Sequence, residues 1–159
     1  MKRLMKSIKY NNMIEIEYKL QNAGWALVKI SNEYKHIVIC ASYLHDSLKE
    51  LAESALQLNT KNEKKVVFMD EPGEHWLVLK KINDKEIEFE LRWYDHWASK
   101  NFVSEEKYKV VLTGKTTLIK YINQVRKNLI QIYEEFGPEL YKEKWIKHDF
   151  PFNEFKLLK

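Results

Sequence analysis

The chain has 159 residues, 45% of them hydrophobic and 31% charged, with only four Gly and three Pro. That length fits one domain, and the composition excludes collagen-like, linker-like and low-complexity chains. The net charge of +4 lies wholly in residues 1–12, where Lys2, Arg3, Lys6 and Lys9 stand without an acid; from residue 13 onward 23 acidic side chains meet an equal number of basic ones. A nucleic-acid binder needs a concentrated positive footprint, because phosphate contacts supply most of its affinity. The body lacks one, so nucleic acid is not expected as a partner. The basic leader 1–12 is expected to be unstructured, ahead of a single domain over 13–159.

Lys6 and Lys9 interrupt the leader and Asn11-Asn12 follow, which does not read as a secretory signal. No run approaches the roughly 20 apolar residues of a membrane span. Cys40 is the single cysteine and sits in the apolar run His36-Ile37-Val38-Ile39-Cys40-Ala41. It cannot make an internal disulfide, and it reads as a small buried hydrophobe in a reducing cytoplasm.

Period-2 alternation opens the body: Ile14, Ile16, Tyr18 and Leu20 alternate with Glu15, Glu17 and Lys19, predicting a strand over Met13–Leu20. Asn22-Ala23-Gly24 predicts a turn into a second strand, Trp25–Ser31. The third strand, Tyr34–Ala41, is apolar on both faces and is expected to be central, with cover on both sides. Leucines and alanines at helical spacing predict a helix over Tyr43–Leu58. A strand Val66–Met69 follows, and Asp70-Glu71-Pro72-Gly73 predicts a type II turn. Two strands, His75–Ile82 and Lys85–Tyr94, meet at Asn83-Asp84. Residues 95–105 are irregular. A strand Tyr108–Leu112 then leads to a long helix, Thr116–Phe136, stopped by Gly137-Pro138. A short helix over Glu139–Ile146 and the rings of Phe150, Phe152 and Phe155 close the chain; three aromatics in a tail are expected to pack back on the body. The fold class is therefore α+β: a mainly antiparallel sheet of about six to seven strands, one mid-chain helix and one long C-terminal helix.

Thr113-Gly114-Lys115-Thr116-Thr117 sits between strand and helix as a phosphate-binding loop would. The full motif needs a Gly five residues earlier, and that position is Lys109. Gly114 instead reads as the turn, with Thr116 or Thr117 capping the helix. The five histidines form no HxH or HxxxH pair, so no metal or other cofactor is expected. Nucleophile signatures are absent as well.

With Asn83-Asp84 as the turn, Lys81 would face Glu86 and His75 would face Arg92. One sheet face would then present His75, Glu88, Glu90, Arg92, Tyr94 and His96 beside Leu77 and Leu79, while Trp76, Val78, Phe89, Leu91 and Trp93 form core. Such a face reads as a solvated surface, as a recognition surface, or as a shallow acid–base pocket with His75 or His96 as base and Glu90 as partner. Trp93-Tyr94-Asp95-His96-Trp97 is the densest aromatic cluster, where a strand enters the longest loop.

The stretches Cys40-Ala41-Ser42-Tyr43-Leu44-His45-Asp46-Ser47-Leu48, Asp70-Glu71-Pro72-Gly73-Glu74-His75 and His148-Asp149-Phe150-Pro151-Phe152 resemble those of small bacterial proteins of unknown function. The resemblance spans 13–155 and implies a stand-alone bacterial cytosolic protein, without naming an activity. Proteins of that general style include immunity proteins that neutralise toxins. The expected function is therefore non-catalytic protein recognition, of an immunity or regulatory type, with His75, Glu88, Glu90, Arg92, Tyr94, His96 and Trp97 as candidate partner-binding residues. The alternative is a small-molecule-binding protein or hydrolase using the cluster around Trp93–Trp97.

Overall fold

A computed structural model describes residues 13–158; the leader 1–12 lies outside them. Its described part is α+β, with seven strands in two antiparallel sheets. β1 (Glu15–Leu20), β2 (Trp25–Ser31) and β3 (His36–Ser42) form a three-stranded meander. β4 (Glu63–Met69), β5 (Glu74–Lys81), β6 (Glu86–Tyr94) and β7 (Lys109–Thr117) form a four-stranded one. Helix α1 (Ser47–Gln57) joins the two sheets, and α2 (Leu118–Trp145) and α3 (Phe152–Leu158) follow the second.

At the β4 edge of the four-stranded sheet a side chain of α1, not a neighbouring strand, meets the backbone. The Val67 N–H, on the outward edge of β4, donates to Glu50 Oε1 of α1. Other edges are met by side chains too. On β1, Ile16 N–H donates to Gln124 Oε1 (3.0 Å) and Tyr18 N–H to Asn128 Oδ1 (2.8 Å), while Asn128 Nδ2 donates to the Ile16 carbonyl (2.7 Å). On β7, the Thr113 carbonyl accepts from Asn32 Nδ2. Capping of this kind satisfies groups that would otherwise recruit another strand.

Residues of β1 alternate between exposed and buried, as their polar–apolar pattern predicts. Ile16, Tyr18, Val28, Ile30 and Ile39 from one sheet meet Val66, Phe68, Leu77, Leu79, Phe89 and Leu91 from the other. Leu48 and Leu51 of α1 and Val125, Leu129 and Ile132 of α2 complete that core.

Several expectations are corrected. β3 is an edge strand, and its face bearing Val38 and Cys40 is open; Ile37, Ile39 and Ala41 turn inward, so Cys40 is exposed. The 70–73 turn has a cis Glu71–Pro72 bond at its centre, unlike a type II turn. Helix α1 starts at Ser47 because Ser42 folds residues 43–46 into a turn, accepting Leu44 N–H at its Oγ and His45 N–H at its carbonyl. Gly114 lies inside β7 opposite Phe89, and the helix begins only after Thr117, whose Oγ1 accepts from Lys120 N–H. One expectation in this region holds: α2 is broken at Gly137, at φ 70° and ψ 170°, where the sequence predicts the first helical run to stop and a second to follow. Of the tail rings, Phe150 and Phe155 are buried around Tyr133 and Tyr141, and Phe152 stays partly exposed.

Candidate recognition surface

The β5–β6 hairpin turns through three residues rather than two. Ile82 N–H donates to the Glu86 carbonyl, and Asn83 Oδ1 accepts from the backbone N–H groups of Lys85 and Glu86. The side chain closes its own turn, a device open to Asn. The extra residue shifts the register by one, pairing Lys80 with Glu88, Trp76 with Arg92 and His75 with Trp93. A one-residue slip exchanges the faces of a strand. Leu77 and Leu79 therefore join Phe89 and Leu91 in the core, while Trp76 and Val78 lie on the outer face with Glu88, Glu90, Arg92 and Tyr94.

His75 is thus on the opposite face from Glu90 and cannot pair with it. Its ring is buried against Trp93, centroids 4.8 Å apart, and burial pushes its pKa down to about 4. The acid–base pocket considered from the sequence is not assembled around it. Tyr94 is buried too: its ring lies 4.7 Å from that of Trp76 and 5.7 Å from that of Tyr108, and its hydroxyl donates to the Glu105 carbonyl. The fold leaves Glu88, Glu90, Arg92, His96 and Trp97 with access to solvent. Arg92 bonds Glu90 at 2.7 Å and lays its guanidinium over Tyr108 at 4.2 Å. Glu88, Glu90 and Arg92, with Lys80, Thr113 and Lys115, line a shallow cavity of about 300 Å³ on the outer face.

Residues 95–105 fold over the rest of that face and make a second core with Val67, Trp76, Val78, Tyr94 and Ala98. What holds the loop is Glu74, which the sequence reading did not single out. Its fully buried carboxylate accepts from Trp76 Nε1 (3.1 Å), Ser99 N–H (2.6 Å) and Ser99 Oγ (2.7 Å). An acid directly before the run His75-Trp76-Leu77-Val78-Leu79 was the available signal, because a buried carboxylate must be matched by donors. Trp97 adds a second tie, its Nε1–H shared between the carbonyls of Asp70 and Gly73. The loop so fixed leaves Phe102 70% exposed, 6.3 Å from the Trp97 ring. Both rings, with Glu71, Pro72 and His96, line a depression of about 690 Å³.

Away from this face, the residues around Asp46 and His148 meet. Asp46 accepts from Trp145 Nε1, His148 Nδ1 lies 3.6 Å from Asp46 Oδ2, and His148 Nε2 bonds the Tyr43 carbonyl. Both imidazole nitrogens are engaged, and the cluster ties the C-terminal segment to the β3–α1 turn. Among the described residues no group of three or more His, Cys, Asp or Glu side chains could hold a metal ion.

No family model matches the chain, and no curated protein matches it. Among solved structures it is similar to a chain of the CdiA-CT/CdiI toxin and immunity complex from Enterobacter cloacae. Sequence identity is 14% and the TM-score 0.44, over 73% of this chain and 98% of that one.

Proposed function

We propose that this chain is a non-catalytic recognition domain for another protein, of the immunity or regulatory type and acting in a bacterial cytoplasm. Its partner docks on the aromatic end, around Phe102, Trp97 and His96, and extends over Glu88, Glu90 and Arg92. The observation that supports this is Phe102, 70% exposed on a loop fixed from beneath by Glu74 and Trp97. An aromatic anchor on an already ordered loop keeps most of its burial energy for the partner, because little ordering entropy is lost on docking. The residues buried beneath, His75 and Tyr94, act as support. A second reading, a small ligand in the same depression, draws on its size, since drug-sized ligands occupy roughly 300–1,000 Å³ and this one offers about 690 Å³.

The two readings separate when a photoreactive phenylalanine analogue replaces Phe102, with Leu157, 74% exposed on α3, as the control position. Irradiated in the bacterium that encodes it, the position-102 protein is expected to give one protein adduct that position 157 does not. Identical adducts from both positions, or none from 102, would remove the recognition reading. A small-molecule adduct at 102 alone would favour the second.

A further inference from the structure

We propose that the depression lined by Trp97 and Phe102 receives an arginine side chain of the partner protein, its guanidinium stacked on the two rings and bonded to the Glu71 carboxylate. The ring centroids are 6.3 Å apart and the planes stand at 57°, and both rings line the depression with Glu71, Pro72 and His96. A cation at the mouth of that angle can lie within the roughly 6 Å of both centroids over which ring and charge attract. Trp97 Nε1–H is committed to the carbonyls of Asp70 and Gly73, so what the indole offers the depression is its ring rather than its donor.

Charge decides what stacks there. Glu71 is exposed and forms no ion pair with a described residue, and among the described residues the lining holds no lysine or arginine. Lys100, the one lysine or arginine of residues 95–105, lies outside the lining and pairs with no described carboxylate. Burial, and after it the charge of Glu71, raises the pKa of the neighbouring Asp70, the direction expected where negative charge is not offset. On the outer face the same pairing of ring and acid is met from within the chain: Arg92 lies over Tyr108 at 4.2 Å and bonds Glu90 at 2.7 Å. No described lysine or arginine lies over Trp97 or Phe102. Arginine suits the site better than lysine, because a planar guanidinium stacks on a ring while its in-plane N–H groups reach a carboxylate. His96, in its neutral form, adds a ring nitrogen as a further acceptor.

The inference rests on the protein-recognition reading for the source of the arginine. The site alone is tested by titrating the intact protein with acetyl-arginine-amide at about pH 8, where an ordinary imidazole is neutral, and following the indole N–H signals by NMR. A saturable shift of the Trp97 signal is expected, with none of equal affinity at Trp25, which is 37% exposed on β2. Acetyl-citrulline-amide keeps the shape without the charge and is expected to bind at least about threefold more weakly. The same loss is expected for acetyl-arginine-amide with Glu71→Gln or Phe102→Leu, both exposed positions outside the core. No saturable shift at Trp97 up to the solubility limit, equal affinity at Trp25, equal binding of the citrulline compound, or unchanged binding by Glu71→Gln overturns the proposal. A photoadduct at position 102 without arginine binding would remove only the arginine; arginine binding without the adduct would remove only the protein as its source.

Discussion

Replacing Glu74 with alanine tests whether the recognition loop is held from below. The substitution leaves Ser99 N–H, Ser99 Oγ and the buried Trp76 Nε1 without their acceptor. Hydrogen bonds to a charged group contribute about 1.5–3 kcal/mol each, and the three share one carboxylate, so a total loss of about 3–5 kcal/mol is expected. Glu74→Gln keeps one carbonyl oxygen and can donate to Ser99 Oγ, so it should cost only about 1–2 kcal/mol. Urea unfolding measures the difference, and amide exchange at Ser99 reports the loop directly. A freed loop must be ordered again on docking, at about 1–2 kcal/mol per residue fixed, so partner affinity should fall although Glu74 never reaches the surface. A loss below about 1 kcal/mol in Glu74→Ala, with Ser99 exchanging as slowly as in the wild type, would refute this account of the loop.

His75 makes stability pH-dependent in a defined direction. Burial holds its pKa at about 4, against an ordinary 6.5. The unfolded chain takes up this proton near pH 6.5 while the folded chain refuses it until about pH 4, so stability is intact above that window and declines as pH falls through it. Between about pH 7.5 and 5 the wild type should lose about 2 kcal/mol more than His75→Leu in urea unfolding; parallel profiles would count against the burial argument. Gly114→Ala probes the strand assigned to the false phosphate motif. A Cβ there would stand 2.5 Å from Cζ of Phe89, itself buried and unable to swing aside. A cost of about 1–3 kcal/mol is expected in thermal unfolding, partly recovered by adding Phe89→Leu, whereas a neutral Gly114→Ala would mean that β7 does not press on β6 there.

Much of this architecture was legible along the chain. The alternation in β1 and β6, the helical stripe from Leu118 to Ile132 and the Gly137-Pro138 break each occur where their periodicity or backbone constraint places them. The candidate site was less legible, because one side-chain bond decided it. Asn83 closing a three-residue loop moved β5 by one position, turning His75 inward and Trp76 outward, and nothing in the local pattern of β5, apolar at four successive positions from Trp76 to Leu79, registers such a slip. Cys40 was misread for a related reason: an apolar run does not say whether its strand is central or at an edge.

Local chemistry by itself determined which segments are strands and helices, that the body carries no concentrated charge, and where the rings cluster. Only the tertiary structure decided that the strands split into two sheets, that Glu74 is buried beneath the 95–105 loop, and that side chains of α2 cap the β1 edge at Ile16 and Tyr18. Those outcomes depend on pairings such as Glu50 with Val67, Glu74 with Ser99 and Asn128 with Tyr18. Hydrogen bonds between residues so far apart in the chain leave no period in the sequence, because their partners are chosen by packing rather than by spacing.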